Sequence, residues 1–163
     1  MQGSGDVREL RKGANKFFRK MDEERLKRYG SKIELILNRS DEIKEWTSIG
    51  PEDFIKDEKT KLATYKAFQE AVEASMNIIA MLCKDLKIIP KDDYTNIENL
   101  KGKIFSEDMG DALIECNGLR NRLIHHYNKM DDLLAFDGIT GILPELKRFT
   151  DTVKEWIRKE LKE

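Results

Sequence analysis

Apolar residues along this chain recur at steps of three and four, the spacing that lines one face of an α-helix. Leu26, Tyr29, Ile33, Ile36, Leu37 and Ile43, with Ser40 in register, predict a first helix running to Trp46 or Thr47 and ended by Gly50-Pro51. The cleanest series is Tyr65, Phe68, Val72, Met76, Ile79, Cys83 and Leu86. It predicts a second helix from a cap at Asp57 to about Leu86. Small residues beside it, Ala63, Ala67, Ala71, Ala74 and Ser75, would let a neighbouring helix come close. A stripe of methionine and aromatic residues like this reads as core, not as a cofactor site. Ile89-Pro90 closes the element, because the residue before proline avoids the helical well.

Lys91 to Ser106 reads as a connection with a short helix within Tyr94 to Lys103. Ser106-Glu107-Asp108 then opens a third main helix, the serine capping free N–H groups and the acids facing the positive end of the dipole. That helix carries Met109, Leu113, Ile114 and Cys116, and runs through Gly118 into Leu119–Tyr127. Beyond Tyr127, the residues Gly138, Gly141 and Pro144 predict helix with an irregular place. A last helix follows, with Leu146, Phe149, Val153, Trp156 and Ile157 on one side. Strand alternation, repeats of fixed period and low-complexity tracts are absent. The expected architecture is all-α, an antiparallel bundle of four to five helices over residues 26–163 with no β-sheet. Residues 1–25 read as a charged extension, frayed over residues 1–7 and helical beyond, with a break near Gly13.

Composition narrows the function classes. The 163 residues fit one domain with a sizeable core. Charged residues make up 37% of the chain, above the roughly 25% of ordinary globular domains. Net charge is −1, so any nucleic-acid contact must come from a local patch and not from a whole-surface basic field. Charge runs such as Lys56 to Lys61 read as solvated helix faces. Cys83 and Cys116 lack metal or CxxC spacing and read as small buried hydrophobes in a reducing compartment. No apolar run nears the roughly 20 residues of a membrane span, and the N-terminus lacks a signal-peptide core. The expected location is cytoplasmic, with no membrane contact.

Chemistry concentrates in Leu119–Tyr127, LRNRLIHHY, which holds both histidines of the chain. Histidine titrates nearest neutral pH, and arginine offers a fixed fork of donors for phosphate or carboxylate. On an ideal helix with Arg120 at zero, Tyr127 falls at about −20°, Asn121 at about 100°, His125 at about 140° and His126 at about 240°. Arg120 and Tyr127 would therefore share a face while His125 lines up with Asn121. A straight helix does not aim Arg120 and His125 at one atom. Either the helix loosens near His125 or a second copy of the chain completes the site. Adjacent histidines diverge by about 100° and no ligand spacing accompanies them, so neither a metal site nor a cofactor is expected. The plain structural alternative is a solvated histidine pair, with Arg120 tied to Glu115 or another nearby acid.

Arg120, Asn121, His125 and Tyr127 match the R-x4-H-x-Y pattern, and the chain resembles the HEPN superfamily, above all the HepT-like toxins of MNT–HEPN toxin–antitoxin pairs. The polar Asn121 and the acidic run Met130-Asp131-Asp132 also fit, and the helix order resembles that family over residues 26 to 157. The charged extension before it departs from the family's compact pattern. The resemblance implies a homodimer whose two motifs meet in one cleft. It implies a metal-independent endoribonuclease, the toxin of a type VII system. It also implies a cognate MNT-type nucleotidyltransferase antitoxin that transfers AMP to the motif tyrosine, here Tyr127.

The residues make such chemistry intelligible. Metal-free RNA cleavage needs a proton acceptor and donor for the ribose 2′-hydroxyl and leaving oxygen, and a cation for charge building on phosphate. His125 suits the proton transfers, a role worth roughly 10²–10⁴-fold, and Arg120 suits the phosphate. Asn121 reads as a supporting or phosphate-contacting residue. His126 is a secondary candidate facing solvent, a partner or substrate backbone, and Arg122 shares that standing. Adenylylation of Tyr127 would set bulk and negative charge beside Arg120 and block substrate. The competing readings are a non-catalytic HEPN binding module and a helical substrate-binding subunit of a split nucleotidyltransferase.

Overall fold

The computed structural model of the chain describes residues 22–162. The expected fraying of residues 1–7 and helical break near Gly13 lie outside the described residues. Among the described residues there are six α-helices: α1 (Glu23–Thr47), α2 (Pro51–Lys56), α3 (Glu58–Asp85), α4 (Asp93–Leu100), α5 (Glu107–His125) and α6 (Asp132–Lys162). A 3₁₀ turn, Tyr127–Lys129, joins the last two. Four are long and make the bundle; α2 and α4 are short connectors.

Local chemistry sets the helix limits. Asp22, Asp57, Asp92 and Ser106 each accept a hydrogen bond from the backbone N–H three residues on, satisfying a donor that the first turn leaves free. Apolar spacing does not announce α2, since Gly50-Pro51 reads in sequence only as a stop. Gly50 takes a positive φ of 89° and Pro51 opens a new turn, where its missing N–H costs nothing. The end of α3 is likewise made by backbone before Ile89-Pro90 is reached. Lys87 enters the left-handed region at φ 63°, and the Ile88 and Lys87 amides return to the carbonyls of Cys83 and Lys84. That is a Schellman-type stop with lysine where glycine is usual.

Long-range pairs give the topology. Arg25 and Tyr29 bond Asp85, while Arg39 bonds Glu70, so α1 and α3 are antiparallel. Lys61 and Tyr65 both reach Asp132 at the start of α6, and the Tyr29 ring meets Trp156 near its end. The four long helices therefore run up, down, up, down, and the end of α5 lies beside the start of α3. The periodic positions Tyr29, Ile33, Ile36, Ile43, Tyr65, Phe68, Val72, Met76, Ile79, Cys83, Leu146, Phe149 and Val153 are all buried. Cys83 and Cys116 are free and buried, and burial pushes both thiols up.

Two expectations need correction. The irregular place and separate last helix expected around Gly138, Gly141 and Pro144 do not exist: α6 is one 31-residue helix with Pro144 inside it. An interior proline costs about 3 kcal/mol. Ile139, Ile142, Leu146 and Phe149, buried before and after it, each contribute about 1.5–3 kcal/mol, and that sum wins. Pro144 itself is exposed, so its ring stands on the outer face. The other correction concerns Lys61, which is only 9% exposed and not part of a solvated run. Its ammonium reaches across to Asp132, a partner 71 residues away.

Candidate active site

The helix α5 ends at His125 and does not continue through Tyr127. His126 caps it with φ −131° and ψ 31°, its N–H still bonded to the Arg122 carbonyl at 2.8 Å. The 3₁₀ turn follows, and Asp131 then opens α6 by accepting from the amides of Leu133 and Leu134 at 3.0 and 3.1 Å. The ideal-helix angle therefore holds for Arg120, Asn121 and His125 but not for Tyr127. The helix loosens one residue past His125, which frees the phenol, while His125 keeps its helical direction away from Arg120.

Tyr127 folds back over the first turns of α3. Its ring meets Tyr65 edge-on, with centroids 6.1 Å apart, and its hydroxyl donates to a Glu58 carboxylate oxygen at 3.5 Å. Beneath it lies a network that no sequence spacing announced. Tyr65 donates to Asp132 at 2.6 Å, and the Lys61 ammonium sits 3.0 Å from Asp132 and 3.0 Å from Glu58. Burial and the neighbouring Asp132 push the Tyr65 phenol up. Desolvation, then the charge of Glu58, pushes the Tyr127 phenol up as well. The hydrogen bond to Asp132 holds Lys61 above its ordinary value. The turn carrying Tyr127 is thus fastened to α3 by ionic and phenolic contacts.

Arg120 is half-buried, and one guanidinium nitrogen, Nη1, donates to Asn121 Oδ1 at 3.0 Å. Asn121 in turn donates to the Tyr94 hydroxyl of α4 at 3.4 Å. Arg120 makes no ion pair with another described residue, so the expected alternative of a bond to Glu115 is not realised. Its Nε is buried without a hydrogen-bond partner. So is the side-chain oxygen of Asn117, one turn earlier on the same helix and 1% exposed. An unpaired buried donor on a cation is a costly feature, the kind that an incoming acceptor such as phosphate would relieve. His125 and His126 are both exposed.

The structure thus brings Arg120 and Asn121 together and puts Tyr127 on a different set of partners, with His125 at the helix end between these two groups along the chain. Among the described residues no three His, Cys, Asp or Glu side chains gather where they could hold a metal ion. No described helix is long and apolar enough to cross a membrane. Sequence reasoning missed Glu58, Lys61, Tyr65, Asp132 and Tyr94. The acidic run at 130–132 was the only hint, and it pointed to the right turn without naming the contacts.

Comparison with known proteins gives a consistent set of relatives. A family model described as Ribonuclease HepT-like matches residues 36–153. A relative from Archaeoglobus fulgidus, named "Putative RNase", is 34% identical over 139 residues, covering 83% of this chain and 97% of the relative. A protein of Aphanizomenon flos-aquae named tRNA nuclease HepT is 24% identical over 131 residues, 78% of this chain and 88% of its own length. Among solved structures, the tri-AMPylated Shewanella oneidensis HEPN toxin in complex with MNT antitoxin superposes with a TM-score of 0.73. Identity there is 19%, over 83% of this chain and 99% of that one, so the likeness speaks to the fold.

Proposed function

We propose that this chain, which belongs to the ribonuclease HepT-like family, is an endoribonuclease toxin that cuts RNA through Arg120 and His125 without a metal. The observation that carries the site assignment is Arg120: a half-buried guanidinium, unpaired by any described carboxylate, with an orphaned Nε, on the last two turns of the helix that ends at His125. A structural arginine in that position would be expected to hold an acid.

The ribose 2′-hydroxyl attacks the adjacent phosphorus. The 2′-oxygen–phosphorus bond forms as the bond to the 5′-oxygen breaks, leaving a cyclic phosphate. One imidazole takes the hydroxyl proton, and a protonated one returns a proton to the departing oxygen. Arg120 binds the non-bridging oxygens as their charge grows. Asn121, itself held by Tyr94, fixes one side of the guanidinium. His126 is left as a supporting contact to substrate or partner.

Two copies complete this arrangement. Arg120 and His125 diverge on one helix, so a homodimer that faces two α5 ends supplies both groups to one phosphate. Ile124, Leu133 and Leu134 flank the motif turn at 47%, 48% and 67% exposure, an apolar surface that a second copy would cover. The partner that silences the toxin is an MNT-type nucleotidyltransferase. The Tyr127 oxygen attacks the α-phosphorus of ATP, pyrophosphate leaves and the phenol proton is lost. The product adds negative charge beside Glu58 and removes the donor that Tyr127 gives it. The location is the cytoplasm.

The test is direct. Unmodified protein is incubated with tRNA and mRNA in EDTA. Cleavage that disappears in His125→Ala and Arg120→Ala is the expected result. No cleavage by unmodified protein would sink the proposal and promote the binding-module reading. Mass spectrometry after co-expression with the antitoxin should find AMP on Tyr127, and its consistent absence would remove that part.

A further inference from the structure

The end of the bundle opposite the motif carries a groove of about 400 Å³ between the start of α1 and the end of α3. Arg25, Arg28 and Lys32 line one wall, at helical positions that share a face, and Asn77, Met81 and Lys84 line the other. Arg25 is fixed in place by Asp85 at 3.0 Å and by the Met81 carbonyl at 2.9 Å. Arg28 and Lys32 make no ion pair with another described residue. This concentration is unusual in a chain of net charge −1. Residues 1–32 hold 10 of the 30 Lys and Arg but only 5 of the 31 Asp and Glu, so the basic groove continues the most basic stretch of the sequence.

We propose that this groove is a second nucleic-acid contact, which holds the phosphate backbone of a long or folded RNA while the motif cuts it elsewhere. The inference rests on the ribonuclease reading above. Phosphate contacts need cations at spaced points and little else, and they position the substrate without reading its sequence. Met81, the one large apolar side chain of the lining other than Pro90, is buried at 6% exposure, and lysine, which protein-interface cores are depleted in, stands on both walls, so RNA fits the groove better than an acidic protein. Lys84 stands 23 residues beyond Lys61 on α3. At a rise of about 1.5 Å per residue, groove and motif turn are roughly 35 Å apart. A short oligonucleotide at the motif does not span that distance; an RNA of tRNA size does.

The experiment compares wild-type protein with the double variant Arg28→Glu/Lys32→Glu; Arg28 is exposed and Lys32 half-buried. Two substrates are used: a tRNA and a six-nucleotide single strand containing the same cleaved sequence. The expected result is at least a tenfold loss of kcat/KM on tRNA, carried by KM, with the short strand cut as before. Binding of the same tRNA by His125→Ala protein, with and without the two reversals, gives a readout that needs no cleavage. There the plot of log affinity against log salt should be shallower by roughly 1–2 in the reversed protein. Unchanged tRNA affinity and cleavage overturn the proposal. So does an equal loss on both substrates, which would mean that the variant damages the motif or the fold. So does a loss confined to assembly with the nucleotidyltransferase, which would give the groove to a protein partner. If wild-type protein cuts nothing, the ribonuclease reading fails on its own, and the binding measurement still decides the groove.

Discussion

Replacing Asp132 with alanine removes the acceptor that ties the motif turn to α3. Three contributions can be summed from its surroundings. The Tyr65 hydroxyl, on a residue only 2% exposed, donates to it at 2.6 Å. Losing a bond to a charged group costs about 1.5–3 kcal/mol. The Lys61 ammonium, with its side chain 11% exposed, loses one of two carboxylates, while Glu58 at 64% exposure remains. Because Asp132 is itself 25% exposed, that pair contributes about 1 kcal/mol, not the 3–5 kcal/mol of a fully buried one. Losing an acid from the first turn of α6 adds about 0.5 kcal/mol. The sum is about 3–4.5 kcal/mol, or about 10 °C in Tm for a domain of this size. Asp132→Asn keeps an acceptor for Tyr65 and should cost about half as much. Urea and thermal unfolding of both variants, with Tyr65→Phe and the double variant Asp132→Ala/Tyr65→Phe, measure these terms. The double variant should fall short of additivity by about 1–2 kcal/mol, because both changes remove one shared bond. An Asp132→Ala protein as stable as wild type, or strictly additive effects, would refute the network as drawn.

Two further expectations follow from buried polar groups. Burial and their carboxylate partners push the Tyr29 and Tyr65 phenols up, and the bond to Asp132 does the same for Lys61. The folded state holds these protons more tightly than the unfolded chain, whose tyrosines titrate near 10 and lysine near 10.4. The stabilisation is therefore intact below about pH 10 and is lost as pH rises above it. Urea midpoints between pH 8 and 11 should show that fall, and Tyr65→Phe should flatten it. Asn117 buries an oxygen with no hydrogen-bond partner, so the near-isosteric Asn117→Leu should raise stability by about 1 kcal/mol in urea unfolding; a loss would mean that its amide has a partner in solution.

The architecture was legible in the sequence because burial on a helix repeats with the helical turn. The series from Tyr65 to Cys83 could face only one way, and each member is buried. Asp57 and Ser106 were readable as caps because a cap is a contact over three residues. The motif was also a local pattern, and it led to the right end of α5.

What the sequence by itself determined is therefore what acts within a few residues: helix faces, starts, most stops, and the gathering of Arg120, Asn121, His125 and Tyr127 in one stretch. Tertiary structure decided the rest. It carried α6 straight through Pro144, because buried side chains before and after the proline outweigh its local cost. It ended α5 before Tyr127 and turned the phenol onto Glu58 and Tyr65, placing it in a different setting from Arg120. It made Lys61 an internal cation through a carboxylate 71 residues away. It set Arg28 and Lys32 across a groove from Lys84. Each of these depends on which helices become neighbours, and spacing along one chain does not encode the distance between two helices.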